Sequence, residues 1–439
     1  MRRFFLGAAL GAAFAAAFAV AADARANPLS LARFGGLAGD AVHDGAYALY
    51  WNPAALAQPG WSAGLDLQLI ARQASYDRDA LLNNVPDSEV AVNAGLATIS
   101  TFGAVPSVMG RFGRAWRGFD IGGGAGVFVE NGGSASWDKN LAAPAGFPGA
   151  VDGPQRWASI SAQLLLVDLA LGVAARHRRS GLSIGFTPML VVGSFSTVRA
   201  RNIDQSEDLV DAQGNPKEGR AYFDGSGVGF SAIVGVRWDH PRGWAVGATY
   251  QRGARVDLTG DLRVAFGSQA PSSERARLRL PIADMVRVSA ALPLTRWLVL
   301  RPTFEWALWS TLKEHVFSSA SDGTPLFVIP RNYHDLIAGR VRAEARVSPR
   351  WLVMLGVGAE RGPTPSSTME PGFGEASNID VGAGARVALS HRVDLSASFI
   401  YQYFLPLTVE NSAQKPTTNG TYRDGREILL VDLEVHGWR

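Results

Sequence analysis

Residues 392–403 read RVDLSASFIYQY, and their alternation decides the fold. Val393, Leu395, Ala397, Phe399, Tyr401 and Tyr403 fall on one face of an extended chain. Asp394, Ser396, Ser398 and Gln402 fall on the other, with Ile400 the exception. The neighbouring stretch 378–389, NIDVGAGARVAL, repeats the pattern. Ile379, Val381, Ala383, Ala385, Val387 and Leu389 oppose Asp380, Gly382, Gly384 and Arg386. In 244–258, one phase carries Trp244, Val246, Ala248, Tyr250, Ala254, Val256 and Leu258. The other carries Gly247, Thr249, Gln251, Arg255 and Asp257. Strands of soluble proteins run about 5–6 residues, whereas a tilted strand crossing a bilayer needs about 9–11. These runs are of the second kind.

Working outward, further candidate strands are 61–75, 119–129, 159–175, 182–198, 228–238, 276–292, 297–310, 335–347, 351–360 and 427–438. That makes about thirteen, and single-chain bacterial barrels favour even numbers. One strand is therefore merged or missed, with 276–292 the suspect because Pro281 interrupts it. Trp244, Trp351, Tyr401, Tyr403 and Trp438 sit at the ends of apolar faces, as interfacial girdles do. Short turns such as 240–243 and 348–350 alternate with long polar loops such as 202–224. The expectation is an all-β chain, a transmembrane antiparallel β-barrel of about 14 strands. The alternative is a large soluble β-sandwich, whose strands should be shorter.

The first residues bear on compartment. Arg2 and Arg3 precede an apolar stretch over 4–22, and Ala24-Arg25-Ala26 is a small-x-small cleavage signal. Residues 1–26 thus read as a signal peptide, with an uncleaved anchor as the alternative. Its removal takes away three Arg and one Asp, so the formal net charge falls from +3 to +1. No Lys/Arg-rich run suggests nucleic acid. The chain has no Cys, which excludes thiolate metal sites and Cys nucleophiles. It is 47% hydrophobic, yet after residue 26 no apolar run is long enough for a spanning helix. Only helices and closed barrels satisfy every backbone group in lipid.

Residues 27–60 do not read as a strand, and a segment of this size inside a barrel would be a plug. Here Gly36-Leu37-Ala38-Gly39 leads through Asp44 to Ala48-Leu49-Tyr50-Trp51-Asn52-Pro53-Ala54-Ala55-Leu56. A Gly/Ala-rich start, an acidic residue and an Asn-Pro-Ala box in this position resemble the FadL family of outer-membrane transporters for long-chain fatty acids and aromatic hydrocarbons. The stretches 243–260, 297–310 (WLVLRPTFEWALWS) and 351–385 are similar to family strands. Two departures stand out. The family's Pro-Phe-Gly-like turn reads Phe128-Val129-Glu130-Asn131-Gly132, and the chain ends in Gly437-Trp438-Arg439 rather than on an aromatic.

The resemblance implies three domains: signal peptide 1–26, hatch 27–60 and barrel 61–439. It also implies uptake of a fatty acid or hydrocarbon past the hatch, with sideways release toward the membrane. The alternatives are a general porin and a structural or adhesive barrel. An outer-membrane enzyme such as a lipase is weighed and not preferred. Asp44, Asn52, Pro53 and Ala54 are the hatch and gating candidates. Pro53 forces a turn and Asn52 bonds local or barrel backbone, whether the turn moves or stays fixed. Arg301 and Glu305, on one strand face with Thr303, and Arg386 are lumenal ligand-binding candidates. The bland reading pairs Arg301 with Glu305 or the hatch. His436 reads as lumenal, and Gly122 to Gly126 as close packing of hatch against wall. No catalytic residue, cofactor or metal is expected. The expected partners are a hydrophobic ligand, outer-membrane lipid and the barrel-assembly machinery. The protein is expected to be a monomer in the outer membrane of a Gram-negative-type bacterium.

Overall fold

The structure is a computed structural model that describes residues 33–80, 92–144, 146–267 and 270–437. The signal-peptide expectation, the start of the hatch and Trp438 lie outside these residues. Nineteen hydrogen-bonded segments form one sheet. Five of its strands are each broken in two, leaving fourteen antiparallel strands. These are β1 (Gly60–Arg78), β2 (Gly95–Trp116), β3 (Phe119–Ser136), β4 (Ser161–His177), β5 (Leu182–Arg201) and β6 (Gly219–Asp239). The broken strands β7 (Ala245–Arg252 and Arg255–Ala265), β8 (Ser272–Pro281 and Met285–Pro293), β9 (Leu298–Ala307 and Glu314–Ser319) and β10 (Pro325–Pro330 and Leu336–Arg346) follow. The last four are β11 (Trp351–Arg361), β12 (Asn378–Ser390), β13 (Val393–Phe404 with Leu407–Val409) and β14 (Gly420–Gly437). β1 pairs with β14 from Trp61↔Gly437 to Arg78↔Gly420, so the barrel is closed. Among the described residues no helix is long and apolar enough to cross a membrane.

The missing strand is β2, and 276–292 is one broken strand rather than two. β2 escapes a period-two reading because its inward face carries Ala97, Ile99, Val105 and Met109 while Thr98 and Ser100 point outward. Both faces are mixed. On β13 the outward phase is Leu395, Ala397, Phe399, Tyr401 and Tyr403. Ile400 faces inward, where it packs in one cluster with Leu37.

The reading of 244–258 as one uninterrupted alternation is wrong. Val246, Ala248 and Tyr250 face out, but Val256 and Leu258 are fully buried inside, and Arg255 and Asp257 face out. The chain changes face at Gly253-Ala254, where the Gly253 N–H donates to Asp284 (2.9 Å) and the Ala254 carbonyl accepts from the Ile282 N–H (2.7 Å). The Ala254 bond is the last rung toward β8 above the break, while the Gly253 N–H has turned from the ladder to a side chain, as at a β-bulge. β8, β9 and β10 break beside this point. Below the breaks, toward the short turns, the barrel is apolar outside and polar inside. Above them, toward the long loops, β7 and β8 are apolar inside and charged outside.

Candidate functional site

Residues 33–59 occupy the turn-end half of the lumen. Phe34, Tyr47, Leu49, Tyr50, Ala55 and Leu56 are all fully buried. The segment carries three short helical turns, Gly36–Ala38, Ala48–Trp51 and Pro53–Ala57, the last two joined at Asn52. Asn52 is extended, and its side-chain oxygen accepts from the Ala54 N–H (3.0 Å), capping the last turn. Its amide donates to Ala41 O (2.8 Å) within the segment and to Val236 O (2.9 Å) on β6. The buried box Asn52-Pro53-Ala54 therefore ties the segment to the wall. Glycines line that wall. A Cβ at Gly122 would run into the Leu56 carbonyl, one at Gly185 into the Pro53 backbone, and one at Gly235 into the Asn52 side chain. Only glycine lets the two backbones approach so closely.

Charge holds the other side. Asp40 is fully buried and accepts from Arg342 (2.6 Å) and Arg301 (3.2 Å). Burial alone would raise the Asp40 carboxyl, but these two guanidiniums outweigh it and hold its pKa below the ordinary carboxylate value. Arg33 reaches Asp380 (3.3 Å), and Asp44 pairs with Arg237 of β6. Ala46 N–H donates to Glu434 (2.9 Å), and the Tyr47 hydroxyl donates to Asp432.

Arg301 thus meets the segment and Glu344 (2.9 Å), not Glu305. Glu305 instead pairs with Arg287 (3.3 Å) and with Arg340. Arg386 donates to Ser396 (3.3 Å) and lies apart from both. His436 meets Asp394 (3.3 Å). Asp40, Arg237, Arg287, Arg340 and Arg342 were not singled out in the sequence. Isolated charges on strands carry no local signal of their partners.

The wall has a window. β2 and β3 pair from Trp116↔Phe119 to Val108↔Val127, but β2 runs on to Gly95 and β3 to Ser136 with no further pairs among the described residues. They meet again at the loop end, where Asp138 N–H donates to Thr98 O (3.0 Å). β3 bulges against β4 between Val129 and Asn131, within the stretch that departs from the family turn. Val105 and Val129, on the two strands, share an apolar cluster with Ile70, Ile428 and Leu430. At the bulge, between Val129 and Asn131, Glu130 accepts from Gln251 (2.7 Å) and from the Tyr50 hydroxyl of the inner segment (3.2 Å). Arg287 donates to the same hydroxyl.

Above the inner segment lies an apolar chamber. Leu164, Leu166, Val191, Val256, Leu258, Leu278, Leu280, Phe317 and Ile329 form one buried cluster. Its roof is cationic. Arg331 pairs with Glu370 (2.7 Å), and Arg199 lies 3.9 Å from the same carboxylate. Arg201 stacks over Phe327 at 4.9 Å and makes no ion pair among the described residues. The void beneath the roof is only about 20 Å³, room for about one water. A second void of about 40 Å³ lies between the inner segment and Arg301, Arg340 and Arg342. Both are closed to an alkyl chain.

The architecture is that of known channels. A Pseudomonas aeruginosa FadL homologue superposes with a TM-score of 0.74 at 16% identity, over 93% of this chain and 98% of that one. The chain has the FadL fold. The P. putida toluene transporter TodX aligns with a TM-score of 0.66 at 16% identity, over 94% of this chain and 98% of its own. The Ralstonia pickettii toluene transporter TbuX aligns at 0.61 and 16% identity, over 94% and 99%. No family model and no curated protein matches the chain.

Proposed function

We propose that this FadL-fold barrel carries hydrophobic small molecules, long-chain fatty acids or hydrocarbons, across the outer membrane. Residues 27–60 act as its hatch and the β2–β3 window as its lateral exit. The observation that carries the reading is the pairing gap between β2 and β3, lined by Val105 and Val129. A polar solute gains nothing from an apolar door into lipid. An alkyl chain gains about 25 cal/mol for each Å² it keeps from water. Two structural neighbours are described as toluene transporters. In this chain the chamber roof carries Arg199, Arg201 and Arg331, and one carboxylate, Glu370, meets two of them, Arg199 and Arg331. That excess favours an amphiphile with an anionic head over a neutral ring. In this reading residues 1–26 are removed on export, the assembly machinery inserts the barrel, and the monomer works alone. Asp44, Asn52, Pro53 and Ala54 hold the hatch, and Arg301, Glu305 and Arg386 line its path.

The test is uptake of radiolabelled oleate by cells that lack their own transporter. Val129→Arg places a charge in the window. It should reduce uptake at least tenfold while the purified variant still binds oleate. Unchanged uptake would exclude the lateral exit, and absence of oleate binding by the wild type would exclude the ligand class.

A further inference from the structure

The face change at Gly253-Ala254 turns a row of arginines outward just where the apolar belt ends. On β7, Val246, Ala248 and Tyr250 point out, and Arg252 follows on the same face. Beyond the break Arg255 and Arg263 point out, and Arg275, Arg277 and Arg279 of β8 stand beside them. On β6, at the height of Arg255, Val228 and Phe230 are 55% and 71% exposed, so the arginines border an apolar surface rather than standing clear of it.

On these two strands six outward arginines meet three outward acids, Asp257, Asp261 and Asp284, the last held by the Tyr250 hydroxyl, and Asp224 of β6 stands opposite Asp261. The chain as a whole has 42 basic against 39 acidic residues, so composition does not explain this excess. Arg279 pairs with Asp257 (2.9 Å), and Arg275 and Arg263 share Asp261 (3.3 and 3.9 Å). Arg252, Arg255 and Arg277 are exposed and make no ion pair among the described residues. Across the barrel, the same height carries Asp77, Arg423 and Glu427 in mixed sign. The excess belongs to one side.

We propose that the outward face of β7 and β8 is a docking site for phosphate-bearing headgroups of the outer-leaflet lipid. A guanidinium offers paired N–H donors that match two phosphate oxygens. An arginine at the edge of the hydrocarbon meets headgroups rather than bulk water. The acyl chains of the same lipid would lie against Val228, Phe230 and Tyr250. Charge complementarity with the acyl surface directly below favours a lipid over a soluble anion. The inference rests on the membrane placement proposed above, but not on what the barrel transports.

The probe is diphosphorylated lipid A, as a minor component of phosphatidylcholine vesicles holding the full-length protein. Native mass spectrometry after gentle extraction counts lipid A retained per barrel. Wild type should retain it. Arg252→Gln/Arg255→Gln/Arg277→Gln should lower its apparent affinity at least tenfold, since each arginine near an anionic surface is worth about fivefold. These side chains are exposed, so the variant should keep the heat-modifiable gel mobility of a folded barrel. Equal retention by the two proteins overturns the site. So does displacement of lipid A by millimolar inorganic phosphate, which would make the site one for a free anion. Failure of wild type to insert in vesicles would overturn the site together with the membrane placement. Oleate uptake, measured separately, is untouched by either of the first two results.

Discussion

Asp40→Asn is the sharpest probe of how the inner segment is held. The carboxylate is fully buried and accepts from Arg342 at 2.6 Å, from Arg301 at 3.2 Å and from the Val42 N–H at 2.9 Å. Stranding a buried charge outright costs about 3–5 kcal/mol. Here the loss is smaller, because Glu344 also pairs with Arg301 (2.9 Å) and Arg342 (3.0 Å). Asparagine also keeps an oxygen for the Val42 N–H. The net effect is then about the worth of one or two charge-assisted hydrogen bonds, roughly 2–3 kcal/mol. All of it falls on docking of the segment, since both arginines belong to strands that stay paired. At 1.4 kcal/mol per tenfold, the ratio of open to closed states should rise about 30- to 140-fold. Planar-bilayer recordings read that ratio as the fraction of time spent conducting. Asp257→Asn is the control, because its pair with Arg279 is exposed and such pairs are worth about 0–1 kcal/mol. The reasoning fails if Asp40→Asn conducts like wild type, or if both variants open the barrel equally.

Deleting residues 27–46 removes Asp40, Arg33 and Asp44 together, so a steady ion leak should replace brief openings; a wild type that already conducts like a porin would end the hatch reading. Asn52→Ala with Pro53→Ala loses the bonds to Ala41, Val236 and Ala54, and should impair oleate uptake while gel mobility stays that of a folded barrel. Ala397→Arg places a charge on the lipid face and should cost about 2–4 kcal/mol of barrel stability near the midplane. Ser398→Arg should act elsewhere, raising conductance by displacing the inner segment, because Ser398 Oγ accepts from the Leu37 N–H (3.3 Å); equal loss of folding stability in these two variants would refute the assigned strand phase.

Barrel strands were legible where one face meets lipid and the other meets polar lumen. The runs around Ala397 and Ala383 have that character, and their phase holds. β2 was lost because part of its inner face packs against apolar residues, which removes the contrast that alternation depends on. The run through Gly253 misled for the opposite reason. Its apolar residues continue in step across a break that exchanges inside for outside, and no single strand pattern encodes which side of the sheet is wet. The chamber was hidden with it, since Val256 and Leu258 read as lipid-facing. The Asn-Pro-Ala box stood out because its turn chemistry is local. The partners of Arg301 did not, because Asp40 lies 261 positions away in the chain. Glu130 stood out only as a departure, and its contacts with Tyr50 and Gln251 depend on the closed barrel.

The face change also has a consequence for any solute moving along the barrel axis. The lumen is two media in series: hydrocarbon-like around Leu258 and Phe317, then charge-lined around Arg301 and Arg340. The first medium favours an alkyl chain over a hydrated ion, and the second favours the ion. The two halves prefer opposite solutes, so preference needs no tight fit to one molecule. An oily solute that has cleared the upper half meets a dielectric step at the inner segment. Under the proposed lateral exit, its downhill direction there is radial, between β2 and β3. In the proposed function the barrel would sort solutes by turning them out of its axis.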